Sequence, residues 1–171
     1  MNTLESIKTR RSIRSFKEDA VPDELIEKIV EAGSYAASGK GRQSPIIIVV
    51  ENKDVIKKFS KMNASVMGVE TDPFYQAPLL MIVLADKTIP THIYDGSLVI
   101  GNMMLACHEL GLGSCWIHRA KEEFETAEGK EFLKEIGITG DYEGIGHLIV
   151  GFTDKHPNPS KRKENYIYYV K

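Results

Sequence analysis

Three arginines and a serine lie within five residues near the start of the chain, at Arg10, Arg11, Ser12 and Arg14. Guanidinium groups bind phosphate oxygens through paired hydrogen bonds, and the serine hydroxyl can donate one more. Like charges this close repel one another unless an anion lies among them. The cluster therefore predicts a site for a phosphorylated ligand, although a solvated basic turn with acidic neighbours has the same pattern.

A polar segment at residues 38–43 is the second candidate. Gly39 and Gly41 let backbone N–H groups approach a ligand, and Ser38 and Gln43 supply neutral hydrogen-bonding groups. The spacing is not that of a P-loop, and the glycines precede a strand instead of following one, which excludes a dinucleotide fingerprint here. An ordinary connection from a helix to a strand explains the segment equally well.

The composition limits what these clusters can bind. The chain has 171 residues, 42% of them hydrophobic and 27% charged, which predicts one ordinary folded domain over residues 1–171. Lys and Arg number 22 against 24 Asp and Glu, and the net charge of −2 with no second basic face argues against a nucleic-acid partner. No apolar stretch approaches the roughly 20 residues that span a bilayer, and no secretory signal is visible, so we expect a cytoplasmic protein without a membrane partner.

The remaining reactive side chains predict no other chemistry. The five histidines lack metal-ligand spacing, so no metal is expected, and His108 is more typical of a hydrogen-bonded core or interface histidine. Cys107 and Cys115 form no C-x-x-C pair, so we expect both to be reduced thiols. Trp116 is expected to lie in the core. No Ser-His-Asp order or pair of catalytic carboxylates stands out.

Helix and strand patterns indicate how the clusters are positioned. Asn2 and Glu5 predict a capped helix that ends at the basic cluster, and Pro22 is expected at the first position of a second helix that continues to about Ala37. Residues 46–50 are β-branched throughout, which predicts a central strand buried on both faces. This strand would carry the polar segment.

The rest of the chain predicts further helices and strands around a central sheet. Strands are expected at residues 79–84, 114–117, 145–152 and 166–170. A helix is expected at 52–67, and one or two charged surface helices, interrupted at Gly129, are expected at 121–136. Asp95 is predicted to cap an apolar helix that ends in a Schellman motif at Gly111. That helix suits either the core or the seam of a homodimer. The order of elements indicates an α+β fold with a central mixed sheet.

Four segments together resemble the FMN-dependent nitroreductase family: RRSIRSF, ASGKGRQ, GLGSCWI and GHLIVGF, in this order across nearly the whole chain. The resemblance implies an α+β fold with a mixed, mostly antiparallel sheet flanked by helices, and an intertwined homodimer with FMN at the interface. It also implies a ping-pong cycle in which NADH or NADPH reduces FMN, which then reduces a nitroaromatic, a quinone or a similar planar acceptor. A flavin-binding or storage protein without turnover is the alternative.

The resemblance also assigns roles to residues. It places Arg10 and Ser12 at the phosphate and ribityl oxygens and Arg14 near the pyrimidine edge of the flavin, with Arg11 in the same turn. A guanidinium there would stabilise the negative charge of reduced flavin. No catalytic residue is implied, because the flavin N5 atom carries the chemistry.

Three further sets are implied by the same resemblance. The polar segment would close the FMN site of the other subunit through Ala37, Ser38, Gly39, Gly41 and Gln43. A terminal tail at 156–171 would extend onto the partner, where Lys161 and Arg162 would complete the phosphate contacts. The strand end at Trp116, Ile117 and His118 would run past the flavin ring with a backbone N–H near N5. The polar segment lacks the asparagine and the aromatic residue that relatives often carry.

Overall fold

The computed structural model describes residues 2–171, which form six α-helices, one 3₁₀ helix and four β-strands. The helices are α1 (Thr3–Thr9), α2 (Asp23–Ser34), α3 (Lys53–Met67), α4 (His92–Glu109), α5 (Ala120–Glu125) and α6 (Ala127–Glu135), with the 3₁₀ turn at Gly39–Gly41. The strands are β1 (Pro45–Val50), β2 (Leu79–Asp86), β3 (Gly113–Ile117) and β4 (Tyr142–Gly151). The predicted α+β class is confirmed.

The strands form one sheet in the order β1-β2-β4-β3, and all three pairings are antiparallel. A single parallel bridge joins Ser12 to Ser114, where the backbone N–H of Ile13 donates to the carbonyl of Ser114 at 2.9 Å. The mixed pairing predicted from the sequence is therefore confined to this bridge. It places the chain after α1 directly beside β3.

The prediction that residues 46–50 form a central strand is wrong, because β1 pairs only with β2 and lies at an edge of the sheet. Only Val50 is fully buried, and Val49 is 37% exposed. Consecutive β-branched residues favour a strand wherever it lies, whereas its place in the sheet depends on partners distant in sequence. The central strands are β2 and β4.

Alternate side chains of β2 enter two apolar clusters, one on each face of the sheet. Leu79, Met81 and Val83 pack with residues of α2 and α4. Leu80, Ile82 and Leu84 pack with residues of α3, α5 and α6. The helices thus cover both faces of the sheet.

Local signals predict most helix ends. Asn2 accepts from the N–H of Glu5 at 3.0 Å and caps α1. At the end of α4 the N–H of Leu112 bonds the carbonyl of Cys107 at 2.8 Å, and Gly111 has a φ of +76°, which confirms the Schellman motif.

Four helix boundaries differ from the predictions. Pro22 precedes α2, which ends at Ser34 and not at Ala37. Asp95 does not cap α4, because that helix already begins at His92. The break between α5 and α6 lies at Thr126, whose Oγ1 accepts from the N–H of Gly129 at 3.0 Å, so Gly129 lies in the first turn of α6 and does not interrupt a helix.

The segment 121–136 is not a surface helix throughout, because Glu123 and Phe124 of α5 are buried. Residues 166–170 form no strand in the single chain and their side chains are exposed. Helix α4 is buried against the sheet at Ile100 and Met103, but Leu98 on its other side is 49% exposed. Within residues 2–171, none of the helices has the length and apolar character that crossing a bilayer would take.

Phe59 of α3 tests this packing, because its side chain is fully buried and contacts the rings of Phe124 and Phe132. We expect Phe59→Ala to lower the free energy of unfolding of the apoprotein by about 3–5 kcal/mol, measured by urea denaturation. Val66→Ala, an exposed position on the same helix, is the control and should change it by less than about 0.5 kcal/mol. Equal losses in both variants would contradict the packing described.

Candidate functional site

The basic cluster begins at the C-terminal end of α1, where Arg10 is the cap residue. Arg11 Nη1 donates to the carbonyls of Lys8 at 2.8 Å and Arg10 at 2.6 Å. Arg10 Nη1 and Arg11 Nε are withdrawn from solvent and have no hydrogen-bond acceptor among residues 2–171. Such buried donors are costly unless an acceptor meets them, so these two nitrogens fit the oxygens of an anionic ligand.

His108 in the last turn of α4 lies beside this cluster. Its Nε2 is 2.8 Å from Thr9 Oγ1, which agrees with the hydrogen-bonded histidine predicted from the sequence. Burial lowers the pKa of His108, and the charges of Arg10 and Arg11 lower it further, against the opposing effect of Glu109. The positive charges that contribute to this lowered pKa would also attract a phosphate.

Strand β3 leads from the basic cluster to the second set of candidates. Ser114 pairs with Ser12, and His118 follows the other end of the strand. Four residues of strand span about 13 Å. An elongated ligand with an anion at one end and a ring at the other could lie along this edge.

The side chains at the end of β3 do not all face such a ligand. Trp116 packs over Gly146, where an added Cβ would clash with the indole nitrogen, and Ile117 is buried in the core. Trp116 is half-buried and packs against the core instead of lying inside it, which agrees only in part with the core position that the sequence favours. Because the side chain of Ile117 is buried, its backbone is the part available to a ligand. His118 is exposed, and its carbonyl accepts a hydrogen bond from Asn63 Nδ2 at 2.8 Å.

The polar segment before β1 is held by Asp95, a buried carboxylate of α4. Asp95 accepts hydrogen bonds from Gly39 N at 2.9 Å, Ser44 Oγ at 2.8 Å and Thr91 Oγ1 at 3.0 Å. Within the segment, Gln43 N donates to Ser38 Oγ at 3.1 Å. The segment is therefore a fixed loop, and it borders a cavity of about 300 Å³ that Ala37, Ser38 and Gln43 help to line.

The sequence prediction treats Asp95 only as a helix cap and misses this role. One signal was available, because Asp95 is the single acidic residue among positions 92–108 of an otherwise apolar helix. An ionisable group in such a helix is rarely left buried without partners. Its partner at Gly39, however, lies 56 residues away in the sequence.

The structure does not bring all predicted residues together in one chain. Ser12 lies beside β3, whereas the loop at residues 38–43 leads into β1, and these are the two outer strands of the sheet. Three strand spacings separate them by about 14 Å. Lys161 and Arg162 lie in an exposed tail, where Arg162 Nη2 donates to the carbonyl of Ser160 at 2.8 Å.

Comparison with known proteins identifies the family to which this fold belongs. A model of the Nitroreductase family matches residues 7–152. The chain belongs to the nitroreductase family. An FMN-bound nitroreductase crystal structure from Desulfitobacterium hafniense is similar over 100% of both chains, with 28% identity and a TM-score of 0.88. A second from Bacteroides fragilis, also over 100% of both chains, has a TM-score of 0.90 at 24% identity and shows the shared fold.

Curated relatives of the family are longer. A protein of Methanothermobacter thermautotrophicus, whose name assigns it provisionally to the NADH dehydrogenase/NAD(P)H nitroreductases, is 35% identical over 68% of this chain. The NADPH-flavin oxidoreductase of Vibrio harveyi is 26% identical over 97% of this chain. The chain spans 60% of the first protein's length and 72% of the second's.

Asp95 gives a prediction about the loop. Burial opposes ionisation of Asp95, but its three hydrogen bonds outweigh burial and lower the pKa of the carboxyl. Because that pKa is lower in the folded chain than in the unfolded one, the carboxylate stabilises the fold above about pH 4 and loses this effect as the pH falls through the folded pKa.

We expect Asp95→Asn to lower the free energy of unfolding by about 1–3 kcal/mol at pH 7, measured by urea denaturation. The difference from the unsubstituted protein should shrink as the pH falls below about 4. Glu51→Gln, an exposed acid just after β1, is the control and should change stability little. A loss that grows on acidification would contradict the role of Asp95.

Proposed function

We propose that this chain is an FMN-dependent oxidoreductase that takes a hydride from NADH or NADPH and passes electrons to a nitroaromatic, a quinone or a similar planar acceptor in a ping-pong cycle. The observation that carries the proposal is the pair of buried guanidinium nitrogens, Arg10 Nη1 and Arg11 Nε, that find no acceptor among residues 2–171. They lie at the start of the β3 edge, where the resemblance expects the FMN phosphate. The bound FMN structure of a similar chain supports the same ligand.

Arg10, Arg11 and Ser12 would bind the phosphate and the first ribityl oxygens, because these consecutive residues carry the buried guanidinium donors and Ser12 pairs with Ser114 of β3. Arg14 is exposed two residues further on and can reach toward the flavin. Bound FMN supplies the atom that accepts and releases hydride. The backbone of the His118 turn would lie beside the ring, about one strand length from the phosphate.

A second copy of the chain would complete the site. The loop that contains Ser38 and Gln43 leads into β1, and three strand spacings, about 14 Å, separate β1 from β3 in the same chain. The loop therefore lies at the opposite edge of the sheet from a ligand bound along β3. A homodimer would bring this loop to the flavin of the partner. The exposed tail at 156–171, with Lys161 and Arg162, would extend onto the partner in the same assembly.

Helix α4 offers the surface for that dimer. Tyr94, Leu98 and Gly101 follow one another at helical spacing on one face; Tyr94 is 71% exposed, and the space around Gly101 is open. An exposed apolar face of this kind marks an interaction site. In such a dimer, one side of α4 would pack in the core and the opposite side would form the seam, so both positions that the sequence leaves open would be used.

Removing the arginines tests the cofactor proposal. We expect Arg10→Ala and Arg11→Ala each to weaken FMN binding by roughly 10- to 150-fold, because a hydrogen bond to a charged group contributes about 1.5–3 kcal/mol. Fluorescence quenching of FMN on titration with apoprotein measures the Kd. Lys8→Ala, which removes one positive charge from an exposed position of α1, is the control and should change the Kd by less than about threefold.

Anaerobic reduction separates an enzyme from a flavin store. NADH or NADPH should bleach the yellow protein within seconds, and a nitroaromatic or a quinone should restore the colour. A protein that binds FMN tightly but keeps its colour with both nucleotides would be the storage protein instead. Retention of FMN in the double variant Arg10→Ala/Arg11→Ala would contradict the placement of the phosphate.

Leu98 tests the dimer. We expect the protein to have twice the mass of the 19.2-kDa chain in light scattering. Leu98→Glu should weaken association at least tenfold and weaken FMN binding with it, because a buried charge without a partner opposes the interface. Val66→Glu, a comparably exposed apolar position on α3, is the control and should do neither. A monomer that binds FMN fully would overturn the shared site.

A further inference from the structure

Three polar side chains lie inside the core with no exposure: Asn63 of α3, Glu123 of α5 and His147 of β4. His147 Nε2 is 2.5 Å from Glu123 Oε2, and Asn63 Nδ2 donates to Glu123 Oε1. The rings of Phe59 and Phe74 pack around the imidazole, with centroids 6.0 and 5.2 Å from it. A polar group in such surroundings is costly, and well-packed apolar residues are often as stable.

The network leaves the core at one point, the turn after β3. Asn63 Nδ2 also donates to the carbonyl of His118 at 2.8 Å, and Asn63 Oδ1 accepts from Arg119 Nε at 3.0 Å. The single amide of Asn63 thus uses both N–H groups and its oxygen. Two of these bonds hold the backbone and side chain of the turn, and the third fixes the amide against Glu123.

The turn needs such support because Arg119 has a φ of +82°. This left-handed conformation is unfavourable for a residue with a Cβ. Arg119 lies just before α5, and the N-terminal end of that helix packs tightly on β4, where an added Cβ at Gly144 would clash with the backbone of Ala120. The network therefore holds a strained turn in one place.

We infer that Asn63 is a positioning residue that fixes the His118–Arg119 turn, with Glu123 and His147 orienting its amide, and thereby sets how the turn's backbone N–H meets the flavin ring. This inference rests on the proposed function, because it needs FMN along the β3 edge. Asn63 and Glu123 lie 55 and 5 residues from His118 and are buried, so neither contacts the cofactor itself. Their effect on FMN passes through the backbone of the turn.

Asn63→Leu keeps the size of the side chain and removes all three hydrogen bonds. In the apoprotein, we expect backbone amides of residues 117–120 to exchange with deuterium at least tenfold faster. In the FMN-bound protein, we expect the midpoint potential of FMN to rise by about 30 mV, which is a tenfold change in the preference for reduced over oxidised FMN. The sign follows because a backbone N–H facing N5 favours the oxidised flavin, whose N5 carries no hydrogen.

Ser60→Ala is the matched control. Ser60 is buried one turn earlier on α3, and its hydroxyl bonds Asp72 at 2.5 Å, so the substitution removes a buried hydrogen bond away from the turn. It should change neither the exchange at residues 117–120 nor the potential. If it changes both as Asn63→Leu does, the effect is general destabilisation and the inference is wrong.

Arg119→Lys provides a second variant if Asn63→Leu does not fold. It keeps the positive charge of this half-buried side chain but removes the Nε–H that donates to Asn63, and should accelerate exchange and raise the potential by a smaller amount in the same direction. Unchanged exchange and an unchanged potential in a variant that binds FMN would overturn the inference while leaving the proposed function intact. An unsubstituted protein that fails to bind FMN would instead overturn the proposed function.

Discussion

A guanidinium nitrogen that is withdrawn from water without an acceptor is unfavourable. Among residues 2–171, Arg10 Nη1 and Arg11 Nε are both in this position, at the end of α1 and next to the parallel bridge that joins Ser12 to Ser114 of β3. The bridge fixes the backbone of the segment that carries the two arginines. An oxyanion bound by both guanidinium groups would resolve their unfavourable burial and reduce their mutual repulsion.

The width of the sheet is the second constraint. With β1 and β3 as outer strands, the loop held by Asp95 and the anchor at Arg10 lie on opposite edges of the same chain. A site that uses both must draw on two chains. In the proposed homodimer, the apolar side of α4 and the exposed tail would become buried on association.

Features that depend on near neighbours in the sequence could be predicted from it. The cap at Asn2 and the Schellman motif at Gly111 are confirmed by the structure. The end of α1 at the basic cluster also follows from local patterns, whereas the mostly antiparallel sheet follows only from the family resemblance. Each of the local features depends on interactions between residues that are close together in the sequence.

Features that depend on distant partners could not be predicted. Residues 46–50 have the composition of a central strand, but their edge position is set by β2 and β4. Asp95 and Asn63 are ordinary polar residues in helices until their partners, 56 and 55 residues away, come into contact. The residues at 166–170 have the composition of a strand, but they pair with no strand of the described chain and stay exposed.

The central claim is that the arginine pair binds the phosphate of FMN, and riboflavin, which lacks only that phosphate, tests it most directly. Titration of the apoprotein with both ligands by calorimetry, in low salt and at pH 7.5, gives the two dissociation constants. The account predicts that FMN binds at least about 100-fold more tightly than riboflavin, because two charge-assisted contacts are lost with the phosphate. Equal affinity for the two ligands would contradict it.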